Sequence, residues 1–309
     1  MTKKYTKVLV TGGAGFIGSH VVDLLIKRGY KVVVVDSMKK KKGWINSKAH
    51  YYRIDIRDPK LKSIFVKEKP EVVIHLAAHI EDRVSVLEPV MNAENNIIGL
   101  INVFENCRYS KVKRIVFASS GVVYGQQKKF PIDEKVTPWP TTPYAISKLV
   151  GEHYLNFYNK VVGISGVALR LANVYGPRQD SRGDSGVLAI FSEKMFKKQQ
   201  PVVNNDGKTT RDYVYVGDVA QAFVQAVESD YIGEINISTG RENSTLEIFK
   251  TIKGLTKSDC KLVFNPKHKD VVRRVSLNPK LAAKVIGWKP KVLLKDGIKA
   301  TVIWFKDRI

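Results

Sequence analysis

Apolar residues in the first half of the chain fall into short β-branched runs, separated by stretches where they recur every three or four positions. Residues 7–10, with Val8-Leu9-Val10 at their centre, read as a buried strand leading to an amphipathic helix that runs through Ile26. Residues 31–36 form a second strand, and 71–76 and 114–118 read as further buried strands. Helical spacing lies between them, around 61–66, 90–106 and 144–159. Such alternation predicts an α/β fold built on a doubly wound parallel sheet. Residues 166–171 and 234–238 supply later strands. After Tyr175-Gly176-Pro177 the pattern becomes mixed, with Pro, Asn and Gly punctuation. This part is expected to be a smaller α/β region over the carboxyl ends of the strands, where such sheets bind ligands. The expected division is 1–174 plus about 212–239 for the sheet domain, and about 175–211 plus 240–309 for the smaller region. No linker separates them, so they should form one unit.

The first strand runs into Thr11-Gly12-Gly13-Ala14-Gly15-Phe16-Ile17-Gly18, which then opens a helix. The run reads both as Gly13-x-Gly15-x-x-Gly18 and as Gly12-x-x-Gly15-x-x-Gly18. Glycines there permit a tight turn and close backbone approach to a pyrophosphate, and the helix start offers N–H groups and partial positive charge. Asp36 ends the next strand, 18 residues beyond Gly18, where a carboxylate can accept from the adenosine ribose hydroxyls. Asp55-Ile56-Arg57-Asp58 ends a third segment, with Asp58 placed to meet the adenine edge. These features predict a Rossmann domain for a dinucleotide. Asp36 would repel a 2′-phosphate, which favours NAD; the run Lys39-Lys40-Lys41-Lys42 leaves NADP as the alternative.

At 309 residues the chain can bury an ample core, and its 44% hydrophobic and 26% charged composition is globular. The first strand begins too early to leave room for a signal peptide, and no apolar stretch approaches the ~18 residues that span a bilayer. Only Cys107 and Cys260 occur, without metal-like spacing, so a reduced, cytoplasmic protein without a metal is expected. The formal charge of +23 is unusual, from 52 Lys and Arg against 29 Asp and Glu. Such a surface attracts anions. The basic residues are scattered and no aromatic-interleaved basic motif is present, so a phosphate-bearing substrate fits better than a specific nucleic-acid site.

Tyr144 and Lys148 share one helix face in Thr142-Pro143-Tyr144-Ala145-Ile146-Ser147-Lys148. An ammonium beside a phenol stabilises tyrosinate and draws its pKa from about 10 toward neutrality. That makes a general base able to take a hydroxyl proton while hydride leaves the same carbon. Taken alone, the pair also suits an ordinary helix surface.

Together these motifs resemble the extended short-chain dehydrogenase/reductases, in particular the nucleotide-sugar epimerase group typified by UDP-glucose 4-epimerase. The resemblance covers nearly the full length. It rests on Thr11 to Gly18, Asp36, Asp55 to Asp58, His75-Leu76-Ala77-Ala78, Asn95, Ala118-Ser119-Ser120, Tyr144 with Lys148, Arg170 to Arg178, and Arg211-Asp212-Tyr213-Val214-Tyr215-Val216. It implies a catalytic trio of Ser120, Tyr144 and Lys148, with Ser120 bonding the reacting sugar oxygen. For NAD it implies Gly12, Gly15, Phe16, Ile17, Gly18, Asp36, Asp55, Ile56, Ala77, Ala78, Asn95 and Ser119, with Lys148 and Tyr144 at the nicotinamide ribose. For the UDP-sugar it implies Asn173, Arg211, Lys267 and Asp270, beside Ser120. An ion pair with Asp212 is the plainer reading of Arg211. A homodimer through helices 90–106 and 144–159 is implied as well; Ile97, Leu100, Ile101 and Phe104 either supply that face or pack on the sheet.

Family members that dehydrate sugars carry an Asp-Glu pair directly after the catalytic hydroxyl residue, and decarboxylases carry a Glu nearby. Here Gly121 and Val122 follow Ser120. The expectation is therefore epimerisation at C4, with UDP-glucose and UDP-galactose first. UDP-N-acetylhexosamine and UDP-uronic acid epimerases are the alternatives, as is net NAD(P)-dependent reduction of a nucleotide sugar. A non-catalytic nucleotide sensor or nucleic-acid binder is the remaining alternative; relatives with such roles usually lose the catalytic tyrosine, whereas Ser120, Tyr144 and Lys148 are all present here. Three departures from the family bear on the sugar: Ser37-Met38-Lys39 after Asp36, Lys267 in place of an arginine, and the acidic His79-Ile80-Glu81-Asp82 at the edge of the substrate pocket. An extra residue near 271–274 blurs the position that gates bulky N-acetyl sugars.

Overall fold

A computed structural model describes residues 4–38, 44–182, 186–265 and 273–309. The β-branched runs become β1 (Lys7–Thr11), β2 (Lys31–Asp36), β3 (His50–Arg53), β4 (Val72–His75), β5 (Arg114–Ser120) and β6 (Ser165–Leu171). Between them lie α1 (Phe16–Lys27), α2 (Leu61–Glu68), α3 (Asp82–Leu87), α4 (Pro89–Ala93), α5 (Gly99–Tyr109) and α6 (Pro143–Phe157). The later chain adds β7 (Asn173–Tyr175), α7 (Val187–Phe196), β8 (Val202–Asn204), β9 (Thr210–Arg211), β10 (Tyr213–Tyr215), α8 (Val216–Glu228) and β11 (Gly233–Ile237). It closes with β12 (Asn243–Ser244), α9 (Thr245–Thr256), β13 (Val263–Asn265), α10 (Lys280–Val285) and α11 (Leu294–Lys306).

Seven strands pair in the order β3-β2-β1-β4-β5-β6-β11, each parallel to its neighbours. Successive side chains of a strand point to opposite faces, and here both faces are covered. Val8, Val10, Val32 and Val34 pack with α1 and α8, whereas Leu9, Val33 and Val35 pack with α2, α5 and α6. The strand order reverses between β1 and β4, and a doubly wound sheet opens its ligand crevice at that point.

The helix expected over 90–106 is divided into α4, a π-helical turn at Glu94–Ile98, and α5. Leu100 and Phe104 are buried in the cluster on the sheet and Ile101 packs against it, which is the second of the two readings for these residues, while Val90 and Ile98 are exposed. Strand β3 escapes sequence reading because His50-Tyr51-Tyr52-Arg53 sits at the sheet's edge and needs no apolar run.

The smaller region packs α7, α9 and α11 around Leu188, Phe191, Ile248, Ile252, Ile298 and Val302, with short strand pairs β7–β10, β9–β12 and β8–β13. It is not one continuous C-terminal piece. Ala282, Ile286 and Trp288 return to the cluster on the sheet's α8 face, and the Trp288 indole Nε1 donates to Asp218 O at 2.8 Å. Cys107 and Cys260 are buried and unpaired. Among the described residues no helix is long and apolar enough to cross a membrane.

Candidate active site

The turn after β1 is built for close approach. Gly12 has φ +71°, and a Cβ there would come within 2.6 Å of Ala77 N. A Cβ on Gly18 would reach 2.1 Å from Gly12 O, so helix α1 can sit against the turn only with glycine at both places. The first bond of α1 runs from Ser19 N to Gly15 O. That leaves the N–H groups of Phe16, Ile17 and Gly18 outside the helix's own bonding, and no side chain caps this end. The arrangement fits a diphosphate lying across the turn.

Asp36 is buried at the end of β2. Its Oδ2 accepts from Ala14 N and its Oδ1 from Met38 N, both at 2.9 Å. Burial pushes its carboxyl above the ordinary range despite those bonds. The carboxylate therefore lies against the glycine turn with acceptor capacity to spare. The lysines at 39–42 lie outside the described residues. Asp55 is held by Arg57 through N, Nε and Nη2 at 2.8–3.0 Å, which keeps its carboxyl below the usual range. Ile56 is buried and its carbonyl accepts from Asn102 Nδ2 at 2.6 Å. Asp58 turns its Oδ1 to Lys60 N at 2.8 Å, at the start of α2.

Across the crevice, Ala77 and Ala78 follow β4. Ala77 N donates to Thr11 Oγ1 at 3.3 Å, and that hydroxyl lies 2.7 Å from His75 Nδ1. The His75 imidazole is pushed down to about 3 by burial, reinforced by Lys148, and so stays neutral. Asn95 donates to Met91 O within its own helix, at 2.7 Å. Its neighbour Asn96, which the sequence did not single out, makes the cross-links. Asn96 Oδ1 accepts from His79 N at 2.7 Å, and Nδ2 donates to His79 O at 2.9 Å and to Ser147 Oγ at 3.2 Å. It thereby ties the segment after β4 to α6.

Helix α6 begins at Thr142, whose hydroxyl accepts from Ala145 N, with Pro143 at the first helical position. Tyr144, Lys148 and Glu152 then follow at four-residue steps along one face. Lys148 is buried, and its Nζ donates to Ala118 O at 2.9 Å and lies 5.7 Å from the centre of the Tyr144 ring. Ser120, the last residue of β5, lies beside the Tyr144 phenol and offsets part of the rise that burial gives its pKa. The three predicted catalytic residues thus converge. One expectation is corrected. Burial pushes the Tyr144 phenol up to about 12 and the Lys148 ammonium down to about 8. Removing water disfavours both charged forms at once, which outweighs their mutual attraction in the protein alone.

One further feature, the network around Glu152, was not read from the sequence. Ser119 turns its hydroxyl to Glu152 Oε1 at 2.5 Å, and Glu152 holds the buried Arg170 through Nε at 2.9 Å and Nη2 at 2.7 Å. Arg170 Nη1 then donates to Tyr124 OH, also at 2.9 Å. This dry network locks the ends of β5 and β6 to α6. The spacing of Glu152 from Lys148 was the available signal. Asp82, which the sequence placed in an acidic segment at the edge of the substrate pocket, accepts at Oδ1 from Thr142 Oγ1 at 2.6 Å, and its charge raises the Tyr144 phenol pKa.

On the opposite side, Asn173 opens β7 with an exposed side chain, its N–H on Asp212 O at 2.9 Å. Arg211 Nη1 donates to Thr210 O at 2.8 Å and Arg273 O at 3.4 Å. Asp212 is buried and takes Thr239 N and Oγ1, Gly240 N and Leu277 N, so its carboxylate serves the backbone rather than the neighbouring guanidinium. Lys267 and Asp270 lie outside the described residues. After Ser120, Val122 is exposed, and a Cβ on Gly121 would meet Leu277 Cδ1 at 2.8 Å.

The chain is similar to known proteins over nearly its full length. Residues 8–238 match the model of the NAD dependent epimerase/dehydratase family. The UDP-glucose 4-epimerase of Mycolicibacterium smegmatis is 38% identical over 98% of this chain and 99% of its own. The crystal structure of the Thermotoga maritima UDP-glucose 4-epimerase with UDP-glucose superposes with a TM-score of 0.95 at 42% identity, covering 98% of this chain and 99% of that one. The Thermus thermophilus UDP-glucose 4-epimerase complex with NAD gives 0.93 at 38% identity, over 98% and 100%.

Proposed function

Because this chain belongs to the NAD-dependent epimerase/dehydratase family, we propose that it inverts C4 of a UDP-hexose, interconverting UDP-glucose and UDP-galactose. The observation that carries this reading is buried Lys148 at 5.7 Å from the Tyr144 ring, beside Ser120 at the end of β5, with Gly121 and Val122 rather than carboxylates next in the chain. NAD would be held by the turn from Gly12 to Gly18, by Asp36, Asp55 and Ile56, and by the strand end at Ala77 and Ala78, with Lys148 at its ribose. The glycine cradle and the spare acceptors of Asp36 fit that group. When bound, NAD+ supplies a hydride acceptor that becomes the donor, and a positive charge that favours tyrosinate.

Tyr144 takes the C4 hydroxyl proton, and Ser120 orients that oxygen. The 4-keto sugar then turns about its diphosphate, and Tyr144 returns the proton on the other face. Asn173 and Arg211 are assigned to the nucleotide sugar, joined by Lys267 and Asp270. Arg211 suits a diphosphate through its fork of donors. Asn95 is retained for NAD on the family resemblance, and Ser119 through its backbone, since its hydroxyl belongs to Glu152. The division into an NAD-binding sheet domain and a nucleotide-sugar region follows the same assignment. A homodimer is supported by the apolar residues exposed on neighbouring helices, Val90 and Ile98 beside Ile146 and Phe157 of α6. The two buried, unpaired cysteines suit the reducing cytoplasm.

Incubation with UDP-glucose, followed by chromatography of the products, tests the reading. The expected result is a mixture with UDP-galactose and no net change in nicotinamide absorbance. Steady production of reduced cofactor, or loss of the C6 hydroxyl, would overturn it.

A further inference from the structure

The net charge of this chain is +23, yet the segment leaving β4 reads His79-Ile80-Glu81-Asp82, with two carboxylates in succession. It leaves the carboxyl end of the sheet, the end at which Ser120 terminates β5. Asp82 opens α3 and is exposed. It is fastened to the catalytic helix by two contacts. Thr142, the cap of α6, donates to Asp82 Oδ1 at 2.6 Å. Tyr144 N donates to Ser85 Oγ at 3.1 Å, and that hydroxyl donates to Asp82 O at 2.6 Å. A negative charge is thereby held at the head of the helix, two residues from the predicted base. The Tyr144 phenol senses it, since Asp82 pushes its pKa upward.

Resting on the reading that Tyr144 works at C4, we propose that Asp82 sorts nucleotide sugars by charge, admitting neutral hexoses and repelling those that carry a carboxylate on C5. C4 and C5 are bonded neighbours, so a C4 hydroxyl held by Tyr144 brings the C5 substituent beside the same phenol. A uronate there enters the field of Asp82 with like charge, whereas a hydroxymethyl group does not. Even with Asp82 exposed, two like charges a few ångströms apart at the protein surface disfavour each other by roughly tenfold in binding. A helix-capping role alone predicts no such discrimination, because an amide oxygen caps Thr142 as well as a carboxylate does.

Asp82→Asn keeps the acceptor for Thr142 and removes the charge. The measurement is kcat/KM for UDP-glucuronate relative to UDP-glucose, in wild type and variant, by product chromatography. The shared diphosphate cancels in this ratio. Wild type should prefer UDP-glucose, and the variant's ratio should rise roughly tenfold toward glucuronate. Thr142→Val, which removes the bond and leaves the charge, should not move the ratio. Should Asp82→Asn fail to fold, salt supplies the same test on wild type, since screening should raise the relative turnover of glucuronate. A ratio indifferent to both charge removal and salt, an equal shift in Thr142→Val, or a wild type that accepts both sugars alike overturns the sorting role and leaves C4 epimerisation standing. Wild type that converts neither sugar overturns the C4 reading instead.

Discussion

The sides assigned by the proposal to the cofactor and to the nucleotide sugar each bury an aspartate among backbone N–H groups, and they load it differently. Asp36 accepts two N–H groups, while Asp212 accepts three and a hydroxyl. A carboxylate offers about four acceptor sites, so Asp212 is filled and Asp36 is half empty. Burial pushes both carboxyls up. The difference lies in what remains for a ligand. A filled carboxylate is scaffolding that joins β10 to the ends of β11 and the returning chain at Leu277; a half-filled one can still accept from further donors. The sequence presents both as an Asp at the edge of a strand.

The largest expected effect lies on the helix between the two sides. Tyr144→Phe should lower turnover about a thousandfold while leaving NAD bound, as product chromatography and the nicotinamide content of the purified protein would report. That result separates proton transfer from binding on either side. Asp212→Ala leaves several buried donors without an acceptor and should cost about 3–5 kcal/mol in thermal unfolding. The comparison breaks if this variant folds as stably as wild type.

Lys148→Met should act in the opposite direction on stability while abolishing turnover. Burial lowers the lysine from 10.5 to about 8, which corresponds to about 3 kcal/mol against the folded state. Below pH 8 both states carry the proton and wild type bears the whole cost. Between pH 8 and 10.5 the unfolded chain alone stays protonated, so wild-type stability rises with pH and the variant's advantage shrinks. Unfolding curves at pH 7 and pH 10 check the sign. The smallest effect is expected at Asp36→Asn, with NAD affinity reduced roughly tenfold and stability changed by less than about 1 kcal/mol. Destabilisation equal to that of Asp212→Ala, with NAD binding intact, would erase the distinction between the two aspartates.

How far the molecule could be read from its sequence follows the range of the interactions involved. The glycine turn, Asp36 and the four-residue step from Tyr144 to Lys148 are local, and a turn or a helix face dictates them. The parallel sheet followed from runs of Val and Ile buried on both faces. Asn96 escaped because the π-helical turn at Glu94–Ile98 shifts the helix register by one residue, so periodicity cannot say which of two adjacent asparagines faces inward. Glu152 and Arg170 looked like ordinary charges, since their partners come from different elements. The return of Trp288 to the sheet joins segments far apart in the chain, which no local pattern signals.

The four-residue step along α6 also bears on which changes the chain can tolerate through descent. Tyr144, Lys148 and Glu152 serve the proposed proton-transfer centre, the proposed cofactor crevice and the buried ion pair from one stripe of a single helix. Deleting one residue between Lys148 and Glu152 would swing everything beyond it by roughly 100° around the axis. Chemistry and core would then be lost together. Loops of this molecule can lengthen or shorten, whereas this helix can change only by substitution.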